Sequence, residues 1–352
     1  MFRKFAKALM VTVMVLGFAA PAFAVETLNL VFLSNTNDEE YDAALVLKNY
    51  VESRTPEIKI EIFAGSQLCG GARECFEALD AGIVDIYVAT AGGTAVVYPA
   101  VGALDLPYVF ESDELVNELM AGEYPEKLRT ILYDGTQGKY LMMAFSNTGG
   151  WRNYANAKHP FKTPADIKGL KLRTVENQVQ MEQVRLHGGS PTPIPFMEVY
   201  TSLQTGVVDG TLNSITDLTN VKLHERAKYM TLDGHNYMFC MWFMATDRFK
   251  GFSEKERDIL MAGFDLMGRV QNGVQVRKEL DAWKVFQDAG GEIYDPSAEE
   301  KAAFRKSVEP LRDWYLKEYK EEGAKFLGAL DAGVVEAEKR IAKRHASILD
   351  PK

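Results

Sequence analysis

Arg173 is the residue whose type and setting point first to chemistry. It ends Lys171-Leu172-Arg173, a short predicted strand, and precedes a predicted amphipathic helix. A guanidinium offers planar paired donors, and a nearby helix N-terminus adds positive potential, so the position suits a carboxylate or sulfonate. A structural alternative stays open at this point, in which Arg173 bridges a neighbouring carboxylate such as Asp166 or Glu176. The surrounding stretch, residues 149–217, reads as scaffolding for that group. A capped start at Thr163 leads to the strand and its helix. A Pro-punctuated loop, a second helix and a strand through Asp209-Gly210 to Asn213 follow.

The elements that must position such a site begin with a β-α-β-α-β order. Strands are predicted over 28–33, 58–63 and 84–89, with helices over 39–54 and from Cys69-Gly70-Gly71 to about 81. That order predicts an α/β sheet with parallel neighbours. Ligands in such sheets sit beyond the carboxyl ends of the strands. Asn35 and Thr36 after the first strand, and Thr90 with Gly92-Gly93 after the third, are therefore candidate wall residues. Ser112 caps a predicted helix through 120, and 140–145 is a strand followed by a Gly-bearing crossing. The apolar run 232–246 is long enough to pass from one domain back to another, and Tyr237 on it could reach a cleft. Two capping boxes follow, Ser253 with Glu256 and Ser297 with Glu300. The first opens a helix to about 287, the second a helix through 319, and 325–348 reads as a last helix.

Composition narrows the function. At 352 residues the chain has the length of two domains, and 47% hydrophobic with 25% charged residues is an ordinary globular balance. A basic start, an apolar run over 8–20 and Ala22-Phe23-Ala24 read as an export signal cut after Ala24. Losing Arg3, Lys4 and Lys7 takes the formal charge from −9 to −12, which argues against nucleic acid and anionic membrane surfaces as partners. Three cysteines leave at least one unpaired. Cys69 and Cys75 flank a Gly-Gly turn and are placed to close a small loop, although spacing leaves the pairing open; Cys240, in an apolar run, reads as a buried thiol. The five histidines lack metal-ligand spacing, and no nucleophile elbow or nucleotide loop is present, so no metal or cofactor is expected.

Several spaced stretches together carry a family resemblance. They are GSQLCGGARECFEALDAGIVDI, DLPYVF, GGWRNYANAKHPFKTPADIKGLKLRTVEN, PFMEVYTSLQTGVVDGTLNS and HNYMFCMWFMATDRF. The chain resembles the periplasmic solute-binding proteins of TRAP transporters, the DctP type. The resemblance implies a two-lobed periplasmic binding protein fold with crossing hinge strands and a long helix across both lobes. Combined with the predicted elements, it divides the chain into 25–147 with 232–252, 148–231 with 288–352, and a shared helix 253–287. It further implies that Arg173 pairs with the ligand's acid group, that Arg152 adds a second basic contact, and that Asn213 bonds the ligand. Leu212 and Ser214 depart from the family's usual acidic residue and proline. The implied function is capture of a small organic acid anion, a short sulfonate such as isethionate or a C4-dicarboxylate. Delivery would be to a permease of one small and one large membrane subunit. A sensor on the same fold and an organic-acid enzyme are the competing expectations; the latter lacks a convincing general base near Arg173.

Overall fold

The structure, a computed structural model, describes residues 25–349. The expected export signal lies outside the described residues. No helix among those described is long and apolar enough to cross a membrane.

The strands join one mixed sheet. β1 (Glu26–Phe32), β2 (Ile58–Phe63) and β3 (Ile86–Thr90) form a parallel end in the order β2-β1-β3. β4 (Tyr140–Asn156) leads to a second parallel end, made by β5 (Lys171–Thr174), β6 (Ser190–Pro193) and β7 (Gly210–Asn213) in the order β7-β5-β6. β8 (Tyr229–Ala245) pairs antiparallel with both β3 and β4, and β9 (Glu292–Tyr294) adds to it in parallel. β4 and β8 have 17 residues each. At about 3.3 Å per residue each spans about 55 Å, so the pair runs through both lobes. Their ladder shifts register three times, once between Asn147 and Gly150, where Gly149 and Gly150 both take φ +75°.

Each lobe buries both faces of its part of the sheet, as parallel strands require. On β1, Leu28, Leu30 and Phe32 face one core with Leu47 and Trp242, while Val31 faces another with Phe76 and Tyr87. In the second lobe Ala155 and Met230 face one core, and Tyr154, Leu172 and Leu212 the opposite one. The helix Glu254–Asp288 starts at the predicted capping box of Ser253 and Glu256. Its Leu260, Phe264 and Met267 enter the first lobe's core, and its Ala282 and Phe286 enter the second's. The span of 35 residues follows from that double anchorage, since either core alone needs only a few turns.

The C-terminal region departs from the expected division. Helix Ala298–Ser307 packs on the second lobe, where Phe304 joins the Tyr154 core. Helix Pro310–Leu349 does not follow it. Leu311, Tyr315, Phe326 and Leu330 instead join the first lobe's core beside Leu119, Tyr124 and Leu128. The expected helix through 319 stops at Ser307, and Pro310 opens the next one, where its missing N–H costs nothing. Lys320, at φ 50° and ψ −127°, is not helical and divides this stretch into two helices across a kink, beside the expected end at 319. The helix Tyr124–Gly135, not anticipated from sequence, supplies part of the surface the tail packs on.

Cys69 and Cys75 form a disulfide, and Cys240 is a buried free thiol. The bridge closes the turn that leads into helix Ala72–Asp80. Loop-closure entropy for so short a loop predicts that the Cys69→Ser, Cys75→Ser double variant loses about 2 kcal/mol. Urea midpoints of the variant and of reduced wild type should then fall together.

Candidate binding site

A cavity of about 750 Å³ opens where the carboxyl ends of the strands from the two lobes meet. β1 contributes Leu33 and Ser34 just beyond its end, β3 contributes Thr90, β5 leads to Val175 and Glu176, and β7 ends in Asn213. Four strands thus deliver side chains to one place, as the open-sheet rule predicts.

Arg173 lies on β5 between Thr192 of β6 and Thr211 of β7, and is 2% exposed. Its Nε donates to the Ile194 carbonyl at 2.9 Å, and its Nη1 reaches Asn213 Oδ1 at 3.5 Å. The Phe196 ring lies 5.8 Å from the guanidinium. Arg152, on β4, is equally buried; its Nη1 donates to the Leu212 carbonyl at 2.5 Å and its Nε has no partner among the described residues. Neither arginine forms an ion pair among the described residues. The two carboxylates that could have claimed Arg173 are engaged elsewhere. Glu176 takes Arg73 at 2.7 Å, and Asp166 accepts the backbone N–H groups of Lys162 and Thr163.

The electrostatics follow from burial. Arg173 is pushed down to about 9, by desolvation first and by Arg152 second, with Asp217 opposing. Arg152 is lowered by desolvation, against the pull of Asp105 and Asp217. Two guanidinium groups held this way favour an anion between them strongly, because its charge offsets both the burial and their mutual repulsion.

The cavity also has an acidic side. Asp38 is the N-cap of helix Glu39–Glu52, Glu40 lies in its first turn, and Asp217 lies in the first turn after β7; all three are buried and line the cavity. Ser34 Oγ donates to Glu40 Oε2 at 2.5 Å, and Asn213 Nδ2 donates to Asp217 Oδ2 at 2.7 Å. Asp217 is raised to about 6, by burial first and then by Asp38, with both arginines opposing. Glu40 is also held well above the usual carboxylate range, again by burial first and Asp38 second.

Of the residues singled out from sequence as site candidates, Arg152, Arg173, Asn213, Thr90 and Gly93 line this cavity. Thr90 also caps the Ala91–Thr94 turn, its Oγ1 accepting from the Gly93 N–H at 3.0 Å. Asn35, Thr36 and Tyr237 lie outside the lining. Asn35 Nδ2 donates to the Asn220 carbonyl at 2.8 Å and Thr36 is exposed. The chain after β1 turns into its helix at Asp38, which brings Ser34, Asp38 and Glu40 inward instead. Tyr237 Oη accepts from Asn147 Nδ2 at 3.0 Å and its ring packs on Trp151. Side chains alternate along β8, so its neighbour Met238 takes the cavity side. The same alternation on β7 turns Leu212 into the core while Asn213 faces the cavity, so the Leu212 side chain leaves no mark on the pocket.

Contacts across the cleft frame the site. Arg73 meets Glu176, and Asp105 accepts Asn177 Nδ2 at 2.8 Å and Gln180 Nε2 at 3.1 Å. Gly92 sits where a Cβ would lie 2.7 Å from Val175, so its lack of a side chain admits the facing lobe. None of these partnerships was legible in sequence. Asp38 and Glu40 looked like ordinary acids at a helix start, and only their burial distinguishes them.

Residues 32–320 match the family of bacterial extracellular solute-binding proteins, family 7, also called DctP, and the chain belongs to that family of TRAP solute-binding proteins. The family is one of transporter binding proteins, not of enzymes. The chain is 26% identical to the 2,3-diketo-L-gulonate-binding periplasmic protein YiaO of Escherichia coli, over 90% of this chain and 94% of that one. It is 29% identical to the C4-dicarboxylate-binding periplasmic protein DctP of Rhodobacter capsulatus, over 79% and 82%. A TRAP periplasmic solute-binding protein from Polaromonas, solved with bound D-erythronate, matches with TM-score 0.79 and 26% identity over 87% and 98%.

Proposed function

We propose that this protein is the exported solute-binding subunit of a TRAP-type transporter, cleaved after Ala24, that captures a small organic acid anion in the periplasm. The observation that carries the reading is the pair of buried arginines, Arg152 and Arg173, facing one cavity with no carboxylate ion-paired to either among the described residues. Relatives named for a diketo sugar acid and for C4-dicarboxylates support the acid class. The acid group sits against the Arg173 fork, Arg152 supplies the second charge, and Asn213 supplies an adjustable amide. Thr90 contributes from the first lobe. Closure of the lobes excludes water and presents the loaded form to a small and a large membrane subunit.

Isethionate is the specific candidate, since its sulfonate can engage both arginines and its hydroxyl can meet Asn213; a C4-dicarboxylate is the other. A thermal-shift screen of organic acids followed by calorimetry tests the class. A ligand at a hundred times its Kd should add about 2.7 kcal/mol to the stability of the folded form. A panel of isethionate, succinate and erythronate that leaves the melting temperature and the heat signal unchanged would overturn the reading.

A further inference from the structure

The cavity is two-signed, and the two signs stand close together. Arg152 and Arg173 offer donors, and the Arg152 Nε has no acceptor among the described residues. Asp38, Glu40 and Asp217 offer acceptors, and none of the three forms an ion pair among those residues. The boundary runs through one side chain. Asn213 turns its Oδ1 to Arg173 at 3.5 Å and to Thr211 Oγ1 at 2.5 Å, while its Nδ2 donates to Asp217 Oδ2 at 2.7 Å.

Each carboxylate keeps acceptor capacity. An ionised carboxylate has about four lone-pair sites. Glu40 has the Ser34 hydroxyl at 2.5 Å and the Thr148 side chain, and Asp38 has the neighbouring Glu39 carboxyl with long contacts from the Glu40 N–H at 3.4 Å and from Asn220 Nδ2 at 3.5 Å. A ligand group placed against Asp217 and Asp38 is therefore favoured when it brings protons with it. A second anionic group there would meet three buried acids, and a methyl would leave their oxygens unpaired.

We propose that this site, taken as the organic-acid site described above, selects acids that carry a hydroxyl or ammonium group a few bonds from the acid group, and disfavours a second carboxylate in that place. The acid group pairs with Arg173 and Arg152. The donor group is received by Asp217, with Asp38 and Glu40 behind it. The separation is short because one asparagine amide spans the two poles. The selectivity thus rests on the acidic side, and the arginines supply the general affinity.

Two isosteric series test this on the full mature chain by calorimetry. The sulfonates are 2-hydroxyethanesulfonate, 2-aminoethanesulfonate, propane-1-sulfonate and sulfoacetate. The carboxylates are 3-hydroxypropionate, β-alanine, butyrate and succinate. In at least one series the hydroxyl or ammonium member should bind at least about tenfold tighter than the methyl member, because a buried acceptor without a donor is costly. The dianion of that series should be weakest, and Asp217→Asn should narrow the gap between donor and dianion. An ammonium preference identifies a zwitterion as the ligand class, and a hydroxyl preference a hydroxy acid. Binding led by the dianion or the methyl member, still lost in Arg173→Met, overturns the selectivity and leaves the organic-acid reading standing. No binding by any member of either series, with the wider acid screen also negative, overturns both. If Asp217→Asn does not fold, Glu40→Gln serves for the variant arm, and the wild-type series decides alone.

Discussion

Arg173→Met should abolish ligand binding without lowering the melting temperature of the unliganded protein. The wild-type side chain can form two charge-assisted hydrogen bonds to an acid group, each worth about 1.5–3 kcal/mol where water is excluded. Their loss, about 3–6 kcal/mol, weakens Kd by about two to four orders of magnitude. The stability half of the outcome has a separate origin. Arg173 is buried beside Arg152 and carries no ion pair among the described residues, so removing it relieves a desolvated charge and a like-charge repulsion. Against this stand its hydrogen bond to the Ile194 carbonyl, a marginal one to Asn213, the Phe196 ring and the attraction of Asp217, which together are set against the cost of burying the charge. A structural arginine gives the reverse pattern, with melting lowered and binding altered only through the fold. Arg173→Lys separates fork from charge, and should still cost tenfold or more in Kd, about 1.4 kcal/mol, because an ammonium cannot hold an acid group through two parallel bonds. Calorimetry and thermal melts on the same preparations check both halves.

Gly149→Ala should destabilise the fold by more than its backbone conformation alone explains. Gly149 takes φ +75°, and a Cβ there would sit 2.3 Å from Ser214 Oγ and 2.9 Å from Ser214 Cβ. The left-handed backbone costs a side chain about 1–2 kcal/mol and overpacking about 1–3 kcal/mol more. The expected loss is therefore about 2–5 kcal/mol, a large part of the stability of a typical domain. Its consequence reaches the ligand. Ser214 Oγ caps the turn that carries Asp217, so displacing Ser214 moves an acidic wall residue. Gly169→Ala is the control, since Gly169 has a similar φ of +79° but none of the described residues comes within 4 Å of its Cβ position; it should lose about 1–2 kcal/mol from backbone strain alone. Denaturant midpoints that fall equally in both variants would show that the Ser214 contact adds nothing.

The pH behaviour of the site follows from the same groups. Asp217 is raised to about 6, and the groups facing it are Asp38, Glu40, Arg152, Arg173 and Asn213. A ligand received through a donor prefers Asp217 ionised. Protonation removes that acceptor charge, so affinity should fall as pH drops through about 6 and level off about one pH unit higher. Calorimetry in buffers of different ionisation heat should register proton release on binding near that pH.

What the sequence determined by itself was mostly local. Capping boxes at Ser253 and Ser297 begin helices where their spacing requires, because the signal and the structure share the same few residues. The strand-helix alternation of the first third, the overlong helix and the place of Arg173 on a short strand were legible for the same reason. The family resemblance brought Arg152 and Asn213 to attention, and both line the cavity with Arg173. Tertiary structure decided the rest. Which of Tyr237 and Met238, or Leu212 and Asn213, faces the cavity depends on the register of β8 against β4 and of β7 against β4, which pairs residues distant in the chain. Whether the tail joins one lobe or the other depends on which buried surface it can complete, and its apolar stripe alone does not say. The acidic wall is the clearest instance. Asp38 and Glu40 at a helix start carry no distinction in sequence, and become cavity-lining groups only where folding buries them beside Asp217, which is far off along the chain.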